Sequence, residues 1–193
     1  MRICVYGAAS SEIDKKYIEM GEELGRKMAD RGHGIVFGGG RNGMMGATAR
    51  GVSEKGGEVI GISPKFFEEN NAEIHYPNCT KFIHTETMRE RKRLLEETSD
   101  AFIITPGGIG TFDEFFEILT LKQLGRHNKA IVIFDMYGFF DELATALYKM
   151  VQQRFIAKDC VELCKVCTTV DEVLDYIENY DPKDFDINLV KIR

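Results

Sequence analysis

Short apolar runs alternate with longer amphipathic ones along this chain, and that rhythm constrains the fold more than any other feature. The strand-like runs are "RICVYGA" (2–8), "GIVFGG" (34–39), "GEVIGIS" (57–63), "CTKFIHT" (79–85), "DAFIITPG" (100–107), "KAIVIFD" (129–135) and "ELCKVCT" (162–168). Helix-like pieces fall between them, at roughly 12–31, 43–55, 86–98, 111–125, 138–152 and 170–179. A strand that returns parallel to its predecessor needs a crossover of this length, usually a helix. The expectation is therefore an α/β fold: a Rossmann-like, doubly wound, mostly parallel sheet with helices on both faces. The stretch 64–78, "PKFFEENNAEIHYPN", breaks the rhythm and reads as an irregular excursion near the sheet edge. Residues 1–180 form one nucleotide-binding domain on this reading, and 181–193 a polar, peripheral C-terminal tail.

Bulk properties narrow the function classes. The chain has 193 residues, which suits one domain with a sizeable core. Its net charge is −6, from 25 basic and 31 acidic residues, which argues against a broad nucleic-acid or anionic-membrane surface. No apolar run approaches the roughly 20 residues of a membrane-spanning helix. The start, "MRICVYGAAS", is too short in apolar content for a signal peptide and reads as a first strand, so the cytoplasm is the expected compartment. The five cysteines then read as reduced thiols. "CVELCKVC" (160–167) could suggest a metal cluster, but its spacing equally suits a strand with its lead-in, and packing is the better reading.

In a doubly wound sheet, ligands bind beyond the carboxyl ends of the strands. Two glycine-rich turns fall there. "FGGGRNGMMG" (37–46) contains Gly38-x-Gly40-x-x-Gly43, which has the dinucleotide pattern. The acid expected about 20 residues later could only be Glu58, which opens the next strand instead of ending it. A tight turn that needs glycine, or a contact from Gly39, Gly40 or Gly43 to a ribose phosphate, fits better than a full NAD site. The second turn opens "TPGGIGTFDEFFE" (105–117). Gly107, Gly108 and Gly110 let backbone approach a ligand, and free amides at a helix N-terminus bind phosphate.

Acids follow that turn at once. On a helical wheel, Phe112, Phe115, Phe116 and Leu119 share one side. Asp113, Glu114, Glu117 and Thr120 fall in an arc of about 120°. A solvated acidic stripe, or a macrodipole preference for early acids, would explain this without any function. Position at the ligand-binding edge favours a functional role, most clearly for Glu114. In "TMRERKRLLEET" (87–98), Arg91 sits in the middle of the apolar side that Met88, Leu94 and Leu95 define. A guanidinium there is costly unless an anion meets it. The anion is either an internal ion-pair partner or the same pocket that Glu114 faces. Lys92 flanks the stripe and could reach a phosphate or a carboxylate.

Taken together, "MRERK" (88–92) and "PGGIGTFDE" (106–114) resemble the two hallmark motifs, M-x-x-R-K and P-G-G-x-G-T-x-x-E, of the LONELY GUY family. These are cytokinin riboside 5′-monophosphate phosphoribohydrolases, long labelled lysine decarboxylase-like. The likeness runs from "ICVYGAAS" through "GISPKFF" to "LTLKQLGRHNKAIVIFDMYGFFDEL", about residues 2 to 178. It implies a hydrolase that cleaves the N-glycosidic bond of a nucleoside 5′-monophosphate, a cytokinin nucleotide or AMP, to free base and ribose 5-phosphate. It implies Arg91 and Glu114 as the catalytic pair. It implies substrate contacts at Glu73, Lys92, Gly108, Ile109, Gly110, Thr111, Phe112, Asp113 and Thr120, with Ser10 and Glu117 as further candidates. It implies no metal or other cofactor, and a homodimer with the site near the subunit interface. Met44, Met45 and the apolar residues of 111–125 are interface candidates, and packing in the monomer core is equally consistent with them. Two positions depart from the family pattern: Arg89 stands where histidine is usual, and Gly7-Ala8-Ala9-Ser10 where Cys-Gly-Ser-Ser is usual. The alternative on the same fold is a non-catalytic nucleotide or molybdenum-cofactor carrier. A pyridoxal-phosphate decarboxylase and an NAD-dependent oxidoreductase fit less well.

Overall fold

The computed structural model describes residues 1–69 and 74–182. Its strands are β1 (Arg2–Tyr6), β2 (Gly34–Phe37), β3 (Val59–Pro64), β4 (Lys81–Thr85), β5 (Ala101–Ile104), β6 (Ala130–Phe134) and β7 (Lys165–Cys167). The helices are α1 (Lys15–Asp30), α2 (Gly43–Glu54), α3 (Lys65–Glu69), α4 (Met88–Thr98), α5 (Ile109–Gln123), α6 (Asp141–Gln152) and α7 (Val170–Glu178). Short 3-10 turns cover Met136–Gly138 and Lys158–Leu163. The doubly wound α/β expectation therefore holds, and each strand and long helix read from the sequence is present. The excursion over 64–78 contains a short helix, α3, that the rhythm did not signal; 70–73 lies outside the described residues, as does the tail from 183 onward.

All strand pairs are parallel, in the order β4-β3-β2-β1-β5-β6-β7. The chain moves outward one way from β1 to β4, then starts again beside β1 and moves the other way. The direction reverses between β1 and β5, where Ile3 pairs with Ala101 and Tyr6 with Ile104. Loops that leave a sheet on either side of such a reversal part company and leave a crevice between them. Here those loops are Gly7–Asp14 and Thr105–Gly108.

Alternate strand residues feed two cores. Ile3, Val5, Phe37 and Ile103 pack with residues of α1, α2 and α7 on one face. Cys4, Tyr6, Val36, Phe102 and Ile104 pack with residues of α4, α5 and α6 on the other. The three cysteines of 160–167 divide among separate packing clusters: Cys167 joins the first, Cys164 the second, and Cys160 a small one with Leu163. That dispersal supports packing as the role of "CVELCKVC".

Helices α1 and α2 touch through glycine. A Cβ at Gly25 would lie 2.1 Å from the Thr48 carbonyl oxygen, and one at Gly51 would lie 2.2 Å from that of Glu22. Neither neighbour is a flexible side-chain end, so the helices must part to admit a methyl group. Gly25→Ala should destabilise the fold by about 3 kcal/mol and lower Tm by roughly 6–10 °C in calorimetry. An unchanged Tm would contradict the backbone-to-backbone contact.

Candidate active site

The crevice at the strand reversal is built from three loops stitched together by backbone bonds. Ala8 N donates to the Pro106 carbonyl at 3.0 Å, and Met45 N donates to the Ala8 carbonyl at 3.4 Å. Thr105 Oγ1 donates to the Tyr6 carbonyl at 2.9 Å. A Cβ at Gly7 would fall 2.1 Å from that same Thr105 oxygen, and one at Gly43 would fall 2.1 Å from the Ala8 carbonyl oxygen. Gly43 also has φ +62, a left-handed conformation that side chains resist. The first glycine turn is held from the other side by 74–76: Arg41 N donates to the Ile74 carbonyl at 2.9 Å and Tyr76 N to that of Gly39 at 2.8 Å.

The amides of Ile109, Gly110 and Thr111 precede the first backbone bond of α5, which runs from Phe112 N to the Gly108 carbonyl. No side chain caps that helix. A Cβ on Gly108 or Gly110 would meet nothing within 4 Å, and neither residue has a left-handed φ. Among the described residues these two glycines meet no packing demand, and neither has a backbone conformation that demands glycine. They leave open space over the amides, which is what an anion needs to come close.

A few ångströms into the fold lies the charge pair. Thr87 caps α4 by accepting from Glu90 N at 3.1 Å, which fixes where Arg91 emerges one turn later. Arg91 is 5% exposed and Glu114 6%. Arg91 Nη1 donates to Glu114 Oε1 at 2.6 Å, and Arg91 Nε donates to the Ile62 carbonyl at 3.2 Å. Burial pushes the Glu114 carboxyl above its ordinary value, against the downward pull of Arg91. Beneath the pair, burial pushes the Cys4 thiol up to about 12, so it stays protonated and is no nucleophile.

Both features open into one cavity of about 360 Å³, within the range of small-molecule sites. Gly7, Ala8, Ala9 and Ser10 form one wall. Gly108, Gly110, Thr111, Asp113 and Glu114 form another. Met45, Phe67 and Met88 supply an apolar side. Of the residues expected from the sequence, the cavity thus gathers Ser10, Arg91, Gly108, Gly110, Thr111, Asp113 and Glu114.

Others lie elsewhere. Ile109 is 90% exposed and Phe112 packs on Phe140, so their side chains face away from the cavity. Lys92 is held by carboxylates instead of reaching toward the amides: it binds Asp113 Oδ2 at 3.1 Å and pairs with Glu117. Burial depresses the Lys92 ammonium, but Glu117 and Asp113 outweigh that and leave its pKa raised. Gly39 backs onto Phe82 and Gly43 onto Ala8, while Gly40 pairs with His75, so this turn is occupied by the protein itself. Thr120 stands at the opposite end of the acidic arc from Glu114. It lines a separate apolar cavity of about 480 Å³ with Phe116, Leu143 and Leu147. The six-residue separation turns it about 120° away on α5, so the two ends of the arc meet different neighbours. Met44 and Met45 are buried, as the core-packing reading expects. Glu73 lies outside the described residues. Phe67, which lines the cavity, was missed as an individual site residue. Phe67 had a signal, an apolar doublet directly after a strand end.

Comparison with known proteins follows the same lines. A family described as "possible lysine decarboxylase" matches residues 45–177. The cytokinin riboside 5′-monophosphate phosphoribohydrolase of Mycobacterium tuberculosis is 37% identical over 172 residues, covering 89% of this chain and 90% of that protein. One from Arabidopsis thaliana is 34% identical over 182 residues, covering 94% of this chain and 84% of that protein. Among solved structures, the molybdenum cofactor binding protein of Rippkaea orientalis aligns with a TM-score of 0.70, at 19% identity, over 92% of this chain and 94% of that one. At that identity the likeness is one of fold.

The buried pair generates a stability prediction. Arg91→Ala leaves the Glu114 carboxylate buried without its partner, so its folded pKa should rise further above the unfolded value. A carboxyl with a raised folded pKa stabilises the fold below its unfolded pKa, and that contribution is lost as pH rises through the folded value. Relative to wild type, Arg91→Ala should therefore be destabilised more at pH 8 than at pH 5 in urea titrations. A pH-independent loss would contradict the buried pairing.

Proposed function

The chain belongs to the cytokinin riboside 5′-monophosphate phosphoribohydrolase family, and on that premise we propose that it hydrolyses the N-glycosidic bond of a nucleoside 5′-monophosphate, releasing free base and ribose 5-phosphate. One observation carries this reading: the buried Arg91–Glu114 pair and the uncapped, glycine-cleared start of α5 open into the same cavity.

The 5′-phosphate sits on the amides of Ile109 to Thr111, which anchors the ribose. The apolar side made by Phe67, Met88 and Met45 takes the base. The C1′–N bond breaks through an oxocarbenium-like state, and the bonding electrons leave with the base, which takes up a proton. Water adds to C1′. Glu114, ionised by Arg91, stabilises the cation and accepts the proton that the water loses. Arg91 keeps the carboxylate in place and charged.

The homodimer implied by the resemblance belongs to this reading as well. Phe116 on α5 is 39% exposed and Leu124, just past its end, 63% exposed, and α6 has no fully buried residue. An apolar face of this kind suits a second copy of the chain. Thr120 then lies at the subunit boundary. Phe116→Glu should shift the protein toward monomer in light scattering; unchanged mass would remove this face as the interface.

The decisive assay incubates the purified protein with AMP and N6-substituted AMP and measures released base. Wild type should release base from the monophosphate and much less from the nucleoside. Tight binding with no release would favour a carrier. Glu114→Gln should lower kcat by about 10²–10³-fold. Because the ionised carboxylate is the active form and burial raises its pKa, kcat/KM should fall with acid at a midpoint above about 4.5. An acid limb at or below that value would contradict the assignment. Gly110→Ala should leave Tm unchanged while weakening ribose 5-phosphate inhibition; unchanged inhibition would remove the amides as the phosphate site.

A further inference from the structure

We infer that Gly38 is a positioning residue for the Arg91–Glu114 pair, acting through the space that its missing side chain leaves for the guanidinium. The inference rests on the hydrolase reading for its kinetic consequence, but its geometry stands apart from it.

Gly38 follows the last residue of β2 at the carboxyl edge of the sheet. Its φ is outside the left-handed region, so its backbone does not demand glycine. Its surroundings do. A Cβ there would lie 2.2 Å from Arg91 Nη2, 3.3 Å from Arg91 Cζ and 3.2 Å from Met45 Sδ. The adjacent Gly39 is different: it has φ +89 and faces Phe82. Two consecutive glycines therefore serve unlike purposes, one conformational and one spatial.

Elsewhere a clash with the end of an arginine is cheap, because the side chain swings aside. Here it cannot. Nε is tied to the Ile62 carbonyl on β3, and Nη1 to Glu114 on α5. Nη2 rests against the backbone at the end of β2. The planar guanidinium is thus fixed on three edges by three elements, and the notch at Gly38 is the third. A methyl group must move Nη2 by about 1 Å to reach ordinary contact. A rigid plane that shifts by this much gives up either the Ile62 bond or the Glu114 bond. Glu114 then loses alignment and part of the charge that keeps it ionised.

The test is Gly38→Ala. A displacement of about 1 Å near the reacting groups is expected to lower kcat by roughly 10–100-fold. KM should change by less than about twofold, since the phosphate amides are untouched, and the acid limb of kcat/KM should move to higher pH. Lysine has no Nη2, so in an Arg91→Lys background the same substitution should cost less than about threefold. Carboxyl 13C NMR, with Glu114 assigned through Glu114→Gln, should show Glu114 titrating at higher pH in Gly38→Ala than in wild type. That measurement does not need turnover. Absence of base release by wild type overturns the hydrolase reading and leaves the positioning question to the NMR titration. An unchanged Glu114 titration overturns the positioning role, as does an equal kinetic cost in the Arg91→Lys background. If Gly38→Ala alone does not fold, the inference requires Gly38→Ala/Arg91→Lys to fold, and an unfolded double variant overturns it.

Discussion

A guanidinium and a carboxylate that are each nearly closed to water cost several kcal/mol apiece to bury, and only close pairing with further hydrogen bonds offsets that. Arg91 and Glu114 meet this condition with one short ion pair and one carbonyl bond. Much else at the carboxyl edge follows from it. The Thr87 cap sets the register of α4. The end of β3 must offer Ile62 as an acceptor. The end of β2 must lack a side chain. A buried ion pair is weak evidence for stability, since apolar residues of similar volume often do as well. Its presence beside an open cavity is better explained by what the charges do than by what they hold together.

Glycine serves three purposes within this one crevice. Gly39 and Gly43 adopt left-handed conformations at the turn into α2. Gly7, Gly38 and Gly107 let one segment press against another, with virtual Cβ contacts of 2.1–2.2 Å. A Cβ on Gly108 or Gly110 would meet nothing within 4 Å among the described residues. The first two purposes shape the protein, and the third leaves room for something that is not protein. The contrast separates the two glycine turns more sharply than pattern matching could. The one that carries the dinucleotide pattern is filled by Phe82, Ala8 and Arg91, and the one without it is open.

Much of this was legible in the sequence, because strand–helix alternation and apolar periodicity are one-dimensional signals. They located all seven strands of the described sheet and placed Arg91 on a buried stripe. The strand reversal needed three dimensions, since nothing local says that β5 returns beside β1. Lys92 was ambiguous for the same reason: reach alone does not say whether a phosphate or Asp113 and Glu117 arrives first. The surroundings of Thr120 were not legible, because a wheel shows direction about one helix axis and not which neighbours wait there. Gly38 was unreadable as an arginine socket, because Arg91, which defines the notch, comes from α4, far along the chain. Glycine in a G-G-G run carries no mark of which purpose it serves.

The proximity of anion-binding amides to a carboxylate has an electrostatic logic under the proposed chemistry. Each unit of phosphate charge about 6 Å from an ionised Glu114 repels it by about 3 kcal/mol at an effective dielectric near 20. The α5 amides and Arg91 offset that repulsion in the ground state. As the glycosidic bond breaks, positive charge appears between the two anions. At about 4 Å from the carboxylate, a full charge would be attracted by about 4 kcal/mol at the same dielectric. The arrangement is indifferent or mildly unfavourable to bound substrate and favourable to the cation, and only that difference accelerates a reaction. A carrier gains nothing from such a carboxylate, since it would repel an anionic cargo without any compensating step. Under the proposed chemistry, then, Glu114 is the residue of this chain that separates catalysis from carriage, and Arg91 matters because it keeps that charge present in a place where burial would otherwise remove it.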